Sequence, residues 1–311
     1  MYSKTQGKPF VKWVGGKSQL ISSIERILPR EIDTLPELTY IEPFVGGGAM
    51  LFWALQNMKN VTKAVINDVN NDLTTAYRTV RDNAIDLIIE LKRLEKEYKL
   101  LQSEESRKAF YLAQRERFNT KQLDDVENTT LFIFLNRTCF NGLYRVNSNG
   151  LFNVPFGKYT NPTICDENTI FADSELLQKV EILTSDFEET IHYATENTLF
   201  YLDPPYKPLS QTSSFTSYAK ENFDDDEQIR LKQFCDKLDE MDYLWILSNS
   251  DVRSNDPTND FFDDLYSDYS INRVWASRSV NANPEKRGKL TELIITNYRY
   301  EKFMPHTQLV G

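Results

Sequence analysis

Histidine and cysteine are scarce in this sequence. Its 311 residues include two histidines, His192 and His306, and three cysteines, no two of which form a CxxC pair. Two distant histidines argue against a Ser-His-Asp triad and against a multi-histidine metal centre. Widely spaced cysteines argue against a disulfide framework and a zinc site, and they are typical of a reducing cytoplasm. We therefore expect a cytoplasmic protein that holds no metal.

Long apolar runs are also absent. No stretch approaches the roughly 18 apolar residues that a membrane-spanning helix requires. Lysines interrupt the start of the chain before any apolar run develops, at Lys4, Lys8, Lys12 and Lys17. The sequence therefore predicts neither a signal peptide nor a membrane segment.

Positive charge is in deficit, but the deficit is local. The chain has 36 basic and 46 acidic side chains, a formal net charge of −10. Residues 221–270 contain 15 acidic and 4 basic side chains, whereas residues 128–165 contain three basic side chains and no acidic one. A protein segregated in this way can present a positive face to nucleic acid while its opposite face stays acidic. The alternative is that these charged side chains are simply solvated and contact no partner, which would give the same distribution of charge along the sequence.

A missing glycine decides how the stretch KWVGGKSQL, residues 12–20, is interpreted. Its Gly16-Lys17-Ser18 resembles the end of a phosphate-binding loop, in which another glycine stands five residues before the last one. Position 11 is valine, and no apolar strand precedes the stretch. The sequence therefore does not predict a triphosphate site here.

Apolar segments typical of buried strands alternate with helical segments along much of the chain. The predicted strands are residues 38–44, 61–68, 180–187, 198–206, 243–250 and 290–298. This alternation is typical of an α/β sheet domain. The simplest organisation joins residues 1–74 and 166–311 into that domain, with residues 75–165 inserted into it.

The insertion has two parts. Residues 72–118 show long helical periodicity without glycine or proline. The periodicity breaks near residue 120, and residues 131–159 instead mix asparagine, glycine and aromatic residues. Asn149-Gly150 within them is a strong turn signal, which predicts a β-hairpin.

A glycine-rich loop, EPFVGGG at residues 42–48, follows the first predicted strand and precedes an apolar helix. It lacks the last glycine of the dinucleotide-binding pattern because position 51 is leucine. Asp68 ends the next predicted strand, where Rossmann-like folds place the carboxylate that binds ribose hydroxyls. The pattern predicts either an adenosine-containing cofactor or a tight packing turn.

The sequence Asp203-Pro204-Pro205-Tyr206 follows the predicted strand TLFYL, at the edge where open α/β sheets bind their ligands. Proline lacks an N–H and disfavours a helical conformation in the residue before it. The pattern therefore predicts a carboxylate close to a main-chain carbonyl, two acceptors that suit an exocyclic amino group. Tyr206 adds a flat face on which a base can stack. A strand exit with a surface aspartate is the alternative.

Taken in order, these stretches resemble the DNA adenine-N6 methyltransferases of the Dam family, in their alpha-ordered group. The resemblance covers nearly the whole chain and includes two further stretches, residues 136–159 and the Ser-Asp-Phe of residues 185–187. It implies a Rossmann-like S-adenosylmethionine-dependent methyltransferase sheet with an inserted helical DNA-recognition domain that carries a β-hairpin. It also implies double-stranded DNA as the partner, and it leaves open whether a restriction endonuclease acting on the same site accompanies the protein.

The resemblance assigns roles to individual residues. The catalytic residues it implies are Asp203, Pro204 and Tyr206. The S-adenosylmethionine-binding residues it implies are Trp13, Lys17, Glu42, Phe44, Gly46, Gly48, Asp68, Asp186, Phe187 and Asp203. The DNA-binding residues it implies are Lys12, Arg137, Asn141, Leu143, Tyr144, Arg145 and Pro155. GATC is the expected target, because NGLYR and FNVPFG resemble the GATC-specific members most.

The chemistry expected of these residues is methylation of an amine. Attack through cytosine C5 requires a cysteine nucleophile, usually after a proline, and no cysteine here follows one. An amino group needs acceptors that draw its lone pair out of conjugation, and a flipped base that reaches them. Cytosine-N4 or RNA methylation, and a catalytically idle nucleic-acid-binding module, remain alternatives.

Overall fold

The computed structural model describes residues 6–15, 20–207, 223–276 and 290–299. Within them the chain forms a seven-stranded sheet of order β3-β2-β1-β4-β5-β7-β6. The strands are β1 Leu38–Glu42, β2 Val61–Asn67, β3 Val180–Leu183, β4 Thr198–Leu202, β5 Leu244–Ser250, β6 Ser270–Ala276 and β7 Leu290–Thr296. The helices are α1 Ile21–Ile27, α2 Ala49–Asn57, α3 Asn71–Asp82, α4 Ala84–Leu100, α5 Glu104–Asn119, α6 Asp125–Thr138, α7 Glu167–Leu177, α8 Asp225–Glu240 and α9 Phe261–Leu265.

The order of the strands reverses between β1 and β4. From β1 the chain moves outward to β2 and β3, and it then returns to the other side of β1 with β4 and β5, all in parallel. Strand β7 is antiparallel to β5 and to β6. The predicted α/β fold is therefore confirmed, and the carboxyl ends of β1 and β4 meet at a topological switch point, where such sheets bind ligands.

The central strands are buried on both faces. Every residue of β1 and of β4 is buried. Successive side chains of β4 enter two different cores: Leu199 and Tyr201 pack in one, and Phe200 and Leu202 in the other. Helices cover both faces of such a sheet, which is why these strands are continuous apolar runs in the sequence.

The segment between β2 and β3 contains helices α3 to α7. Helix α3 is bonded to the sheet domain. The Tyr77 hydroxyl donates to the Gly46 carbonyl of the glycine-rich loop at 3.0 Å, and Arg81 Nη1 donates to the Val180 carbonyl of β3 at 2.9 Å. The predicted boundary between residues 74 and 75 falls inside this helix. The division into two domains stays a prediction, and α3 joins its two parts.

One prediction of local structure is wrong, and one strand was missed. Residues 131–138 form the end of helix α6 rather than part of the Asn- and Gly-rich segment. Their side chains are buried on nearly every side, so the one-sided periodicity that marks a surface helix is missing. Strand β6 was not predicted, because its half-exposed sequence, SINRVWA, lacks a continuous apolar run.

Most strands end earlier than predicted. Strand β4 stops at Leu202, before Asp203-Pro204, and β3 stops at Leu183. Asp186, which was included in the predicted third strand, instead caps a 3₁₀ turn over Phe187–Tyr193 by accepting from the Glu188 N–H. Proline and a capping aspartate each interrupt the strand ladder at these points.

The predicted hairpin is present in reduced form. Isolated antiparallel bridges join Val146 to Phe152 and Cys139 to Phe156. The turn between them is wider than an Asn-Gly pair, because the Asn147 N–H donates to the Leu151 carbonyl at 2.9 Å. None of the helices within the described ranges is long and apolar enough to span a bilayer.

Candidate active site

The glycine loop after β1 is shaped by Trp13. Gly46 and Gly48 have positive φ angles of 48° and 73°. A Cβ atom on Gly46 would lie 2.9 Å from Trp13 Cδ1, and one on Gly47 would lie 3.0 Å from Trp13 Cβ. Glycine is therefore required both for the backbone conformation and for the close approach of the indole.

Asp68 follows β2 and supports the same loop. Its Oδ2 accepts from the Gly46 N–H at 3.2 Å, and its Oδ1 accepts from the Asn70 N–H at 2.9 Å. Burial raises the pKa of Asp68 to about 6, against the opposing effect of these two hydrogen bonds. The carboxyl group is therefore mainly ionised at neutral pH. Its acceptor oxygens lie at the carboxyl edge of the sheet, which we call the crevice: the loops that follow β1, β2, β3 and β4.

A second carboxyl group, Glu42, lies at the end of β1 and is 2% exposed. The Tyr40 hydroxyl donates to its Oε2 at 2.9 Å. Burial raises the pKa of Glu42 well above its usual range; the Tyr40 hydrogen bond opposes the shift, and the Asp203 charge adds to it. Glu42 is thus a buried acid whose ionisation depends on a positive partner.

The ends of β1 and β3 meet through aromatic rings. The centroids of Phe44 and Phe187 are 5.2 Å apart, and Phe223 lies 5.7 Å from Phe44. The guanidinium carbon of Arg230 stands 4.3 Å from the Phe187 ring centroid, and its Nη2 donates to Asp186 Oδ2 at 2.6 Å. Phe223 and Arg230 were not predicted, since they lie far from the recognised stretches in the sequence.

Asn67 is a further residue that the sequence reasoning missed. This side chain ends β2 and is buried. Its Nδ2 donates to the Pro43 and Ser185 carbonyls at 3.1 and 3.0 Å, while its Oδ1 accepts from the Ser185 N–H at 2.9 Å. One amide therefore fixes the loops after β1 and β3. The sequence feature that could have identified Asn67 is a polar residue at the end of an otherwise apolar strand.

The Asp203-Pro204-Pro205-Tyr206 segment lies at the end of β4. Asp203 Oδ1 accepts from Ser248 Oγ at 2.8 Å, and the Tyr206 hydroxyl donates to Glu292 Oε2 at 3.0 Å. Burial, followed by the charges of Asp203 and Glu292, raises the pKa of Tyr206 well above its usual range. The tyrosine hydroxyl therefore stays protonated and acts as a donor.

The residues predicted to bind DNA surround the reduced hairpin. Lys12 is exposed, and its main-chain N–H and carbonyl both pair with the Asn136 amide at 2.8 Å. Asn141 is exposed with a φ of 56°, in a turn that also exposes Phe140. Leu143 is half-buried, and Pro155 is exposed, with its carbonyl accepting from the Phe140 N–H at 2.8 Å. Phe140 is an exposed aromatic residue that was not predicted.

The two arginines in this set differ in surroundings. Arg145 is half-buried, and its Nε donates to Asn153 Oδ1 at 2.7 Å. Arg137 Nη2 donates to the Phe10 carbonyl at 2.7 Å, and burial lowers the pKa of its guanidinium. The observed contact of Arg137 is therefore within the chain, and its predicted contact with DNA stays a prediction.

Trp13 and Tyr144 connect the two groups of predicted residues. Their rings stack with centroids 5.6 Å apart at an angle of 25°. The Tyr144 hydroxyl donates to Asp72 Oδ2 at 2.7 Å, at the start of α3. The hairpin and the glycine loop are therefore in contact through one aromatic pair. Lys17, predicted to contact the cofactor, lies outside the described residues.

Acidic groups around the crevice are not arranged as metal ligands. In the part of the chain that the structure describes, no group of three or more His, Cys, Asp or Glu side chains is positioned to hold a metal ion. The crevice instead offers single carboxylates, aromatic faces and main-chain carbonyls.

The fold and the sequence both match a known family of enzymes. The sheet order with its antiparallel β7 is consistent with a Rossmann-like methyltransferase fold. The sequence model of the D12 class N6 adenine-specific DNA methyltransferases matches residues 13–280. The chain belongs to this family.

Several relatives match over almost their whole length. The Type II methyltransferase M.MjaIII of Methanocaldococcus jannaschii is 47% identical over 294 residues, 94% of this chain and 99% of that protein. The Type II methyltransferase M1.LlaDCHI of Lactococcus lactis is 38% identical, over 95% of this chain and 97% of that protein. The DNA adenine methylase of Haemophilus influenzae is 34% identical, over 94% of each chain.

Proposed function

We propose that this protein transfers a methyl group from S-adenosylmethionine to N6 of an adenine flipped out of duplex DNA. One observation carries the proposal: Asp203-Pro204 directly follows β4, and the glycine loop directly follows β1, the strand that pairs with β4 in parallel. These two strands flank the switch point, where open α/β sheets bind ligands. A donor bound by the glycine loop and an acceptor base held at Asp203 would therefore be neighbours.

The side chains of the crevice fit the parts of S-adenosylmethionine. Asp68 offers ionised oxygens for ribose hydroxyls, and Phe187 with Asp186 offers an aromatic face and an acceptor for adenine. Asp203 offers a carboxylate to the amino-acid end, whose ammonium group is the positive partner that Glu42 requires to ionise. When bound, S-adenosylmethionine supplies an electrophilic methyl group.

The protein's contribution to the reaction is to prepare the amino group. N6 is weakly nucleophilic because its lone pair is delocalised into the ring. The Asp203 carboxylate and the Pro204 carbonyl accept its hydrogens, draw the nitrogen toward a tetrahedral geometry and stabilise the positive charge that develops. Tyr206 supplies a stacking face for the base. Alignment of the amine with the donor provides the remaining acceleration.

The proposed DNA-recognition unit is the insertion at residues 75–165. Its acid-free segment and Lys12 provide positive charge, Arg145 suits guanine O6 and N7, and Asn141 suits adenine. The exposed ring of Phe140 suits insertion at a base step, since apolar wedges open duplexes for flipping. We propose GATC as the target on the likeness of NGLYR and FNVPFG to GATC-specific enzymes. Methylome sequencing of DNA from cells that express the protein reads base and site together.

The names of two relatives bear on the biological role. Both are called Type II methyltransferases. We infer that the present protein protects DNA from a restriction endonuclease that cuts the same site. DNA as the substrate and three free cysteines favour the cytoplasm as the location of this reaction.

Asp203 provides the direct test of the mechanism. We expect Asp203→Ala to reduce methyl transfer by about 10²-fold or more, because the acceptor strengthens its bond as charge develops in the transition state. Asp203→Asn keeps the shape and one oxygen and should show how much of the loss is due to charge. Single-turnover transfer from labelled S-adenosylmethionine to a GATC duplex, at saturating donor, measures both.

Tyr206→Ala is the matched comparison within the same segment. It should weaken DNA binding at the flipped base by about 1–3 kcal/mol through lost stacking, whereas Asp203→Ala should leave DNA affinity nearly unchanged. Transfer by Asp203→Ala within a few fold of the parent would remove this residue from the chemistry and refute the proposal.

A further inference from the structure

The carboxyl end of β5 is polar although it is buried. Ser248, Asn249 and Ser250 end this strand and are 0%, 0% and 1% exposed. A strand in the parallel part of a covered sheet is ordinarily apolar throughout. Three buried polar side chains in a row would destabilise the fold unless each formed hydrogen bonds. Their partners therefore indicate why they are there.

Two of the three side chains bond directly to residues 203–207, and Asn249 reaches that segment through Gln228. Ser248 Oγ donates to Asp203 Oδ1 at 2.8 Å, and Ser250 Oγ donates to the Lys207 carbonyl at 3.0 Å. Asn249 Nδ2 donates to Gln228 Oε1 at 3.1 Å, and Gln228 Nε2 reaches the Pro205 carbonyl at 3.4 Å. The end of β5 thus holds the segment that contains the proposed catalytic acceptor.

Counting hydrogens gives the direction of the bonds at Ser248. Its hydroxyl has one hydrogen, which it donates to the Asp203 carboxylate. Its second contact, with the Tyr201 hydroxyl at 3.2 Å, must then be accepted, so Tyr201 is the donor. Burial, followed by the Asp203 charge, raises the pKa of Tyr201 well above its usual range, so this donor keeps its proton.

We propose that Tyr201 and Ser248 form a two-step hydrogen-bond relay that positions the Asp203 carboxylate for methyl transfer. The inference rests on the proposed function, in which Asp203 accepts a hydrogen from the adenine amine. A carboxylate held at one oxygen cannot rotate freely about its Cβ–Cγ bond, and its orientation toward the base is set before the substrate arrives. Each bond in such a chain polarises the next, so the Tyr201 donor strengthens the one at Asp203.

The relay predicts a graded loss of rate. Ser248→Ala removes the direct bond and should lower the single-turnover rate by roughly 10- to 100-fold, since small misplacements of a reacting group cost up to about 10²-fold. Tyr201→Phe leaves that bond in place and should lower the rate by less than about 10-fold. The KM for the duplex should change by less than about twofold, because Asp203→Ala itself is expected to leave DNA affinity nearly unchanged, whereas the KM for the donor should rise, since Asp203 also faces the amino-acid end of S-adenosylmethionine.

The double variant separates positioning from simple structural support. Ser248→Ala leaves the buried Tyr201 hydroxyl without its partner and should lower Tm, whereas Ser248→Ala with Tyr201→Phe removes both groups and should recover part of that loss. The rate of the double variant should nevertheless stay at the level of Ser248→Ala, because Tyr201 acts only through Ser248. Recovery of rate together with Tm would overturn the inference.

A matched control comes from the other end of β4. Thr198 is buried, and its hydroxyl donates to the Thr195 carbonyl at 2.8 Å, far from the carboxyl end of the sheet. Thr198→Val should lower Tm and leave the rate within about twofold of the parent. If the parent itself transfers no methyl group, the proposed function fails. If the parent is active and Ser248→Ala matches it, the relay alone is refuted.

Discussion

At the scale of single residues, the surroundings of each carboxyl group determine its chemistry. Burial raises the pKa of Glu42 well above its usual range and that of Asp68 to about 6. Asp186 is exposed and paired with Arg230. The acids around the crevice therefore differ in burial, pairing and pKa, differences that depend on the folded surroundings and not on residue type.

Asp68 makes the proposed cofactor site sensitive to pH. Its carboxylate is ionised above pH 6 and protonated below, so one acceptor for the ribose is lost as the pH falls through about 6. S-adenosylmethionine affinity should therefore fall below this pH, at a limiting slope of about tenfold per pH unit. Calorimetric titrations from pH 5 to 8 measure the change. Asp68→Asn should bind more weakly with a flatter profile, and equal slopes in both proteins would contradict the assignment.

At the scale of elements, the features that could be predicted are those determined by a short run of consecutive residues. The glycine loop and the Asp-Pro-Pro-Tyr strand exit were predicted because glycine and proline restrict the backbone locally. The end of α6 was missed because burial on all sides removes helical periodicity. Ser248, which contacts Asp203, and Glu292, which contacts Tyr206, were missed for another reason. They lie on β5 and β7, far from residues 203–206 in the sequence, and only the order of strands in the sheet brings them close.

Two residues of the reduced hairpin, Arg145 and Asn153, should affect which base sequence the protein recognises. Arg145→Ala should relax discrimination at one base position by about 1–3 kcal/mol, if this arginine reads a guanine. Asn153→Ala should relax the same position by a smaller amount, because Asn153 Oδ1 accepts from Arg145 Nε and orients the guanidinium. Binding to duplexes with single base changes measures both. A uniform loss across all duplexes would instead make Arg145 a phosphate contact.

At the scale of the whole molecule, a short extended segment near the start of the chain crosses several elements. The Gly7 N–H donates to Gln56 Oε1 of α2 at 2.9 Å, and the Lys8 N–H donates to Asp173 Oδ1 of α7 at 3.0 Å. Arg137 of α6 then holds the Phe10 carbonyl. These distant side chains hold the segment that carries Lys12 and Trp13 to the crevice, an arrangement that no local sequence pattern indicates.

Asp173, which accepts from the Lys8 N–H, makes the stability of the fold depend on pH. The side chain is fully buried, and burial raises its pKa to about 8. Because the unfolded chain ionises near pH 4, the folded state loses stability relative to the unfolded state as the pH rises from about 4 to about 8. The slope attributable to this group approaches about 1.4 kcal/mol per pH unit. Asp173→Asn should abolish that part of the slope, as urea unfolding at several pH values measures. Parallel profiles for parent and variant would refute it.

The long separations in these contacts have a consequence for synthesis on the ribosome. The partner of Lys8 is made 165 residues later. At roughly 5–20 residues per second, translation needs about 10 to 30 seconds to cover that distance. During this interval the nascent segment that carries Trp13 lacks its contact with α7, although Gln56 and the glycine loop are already made. The glycine loop, which awaits the indole, is translated long before α7, so the crevice is completed late in translation even though two of its parts are made first.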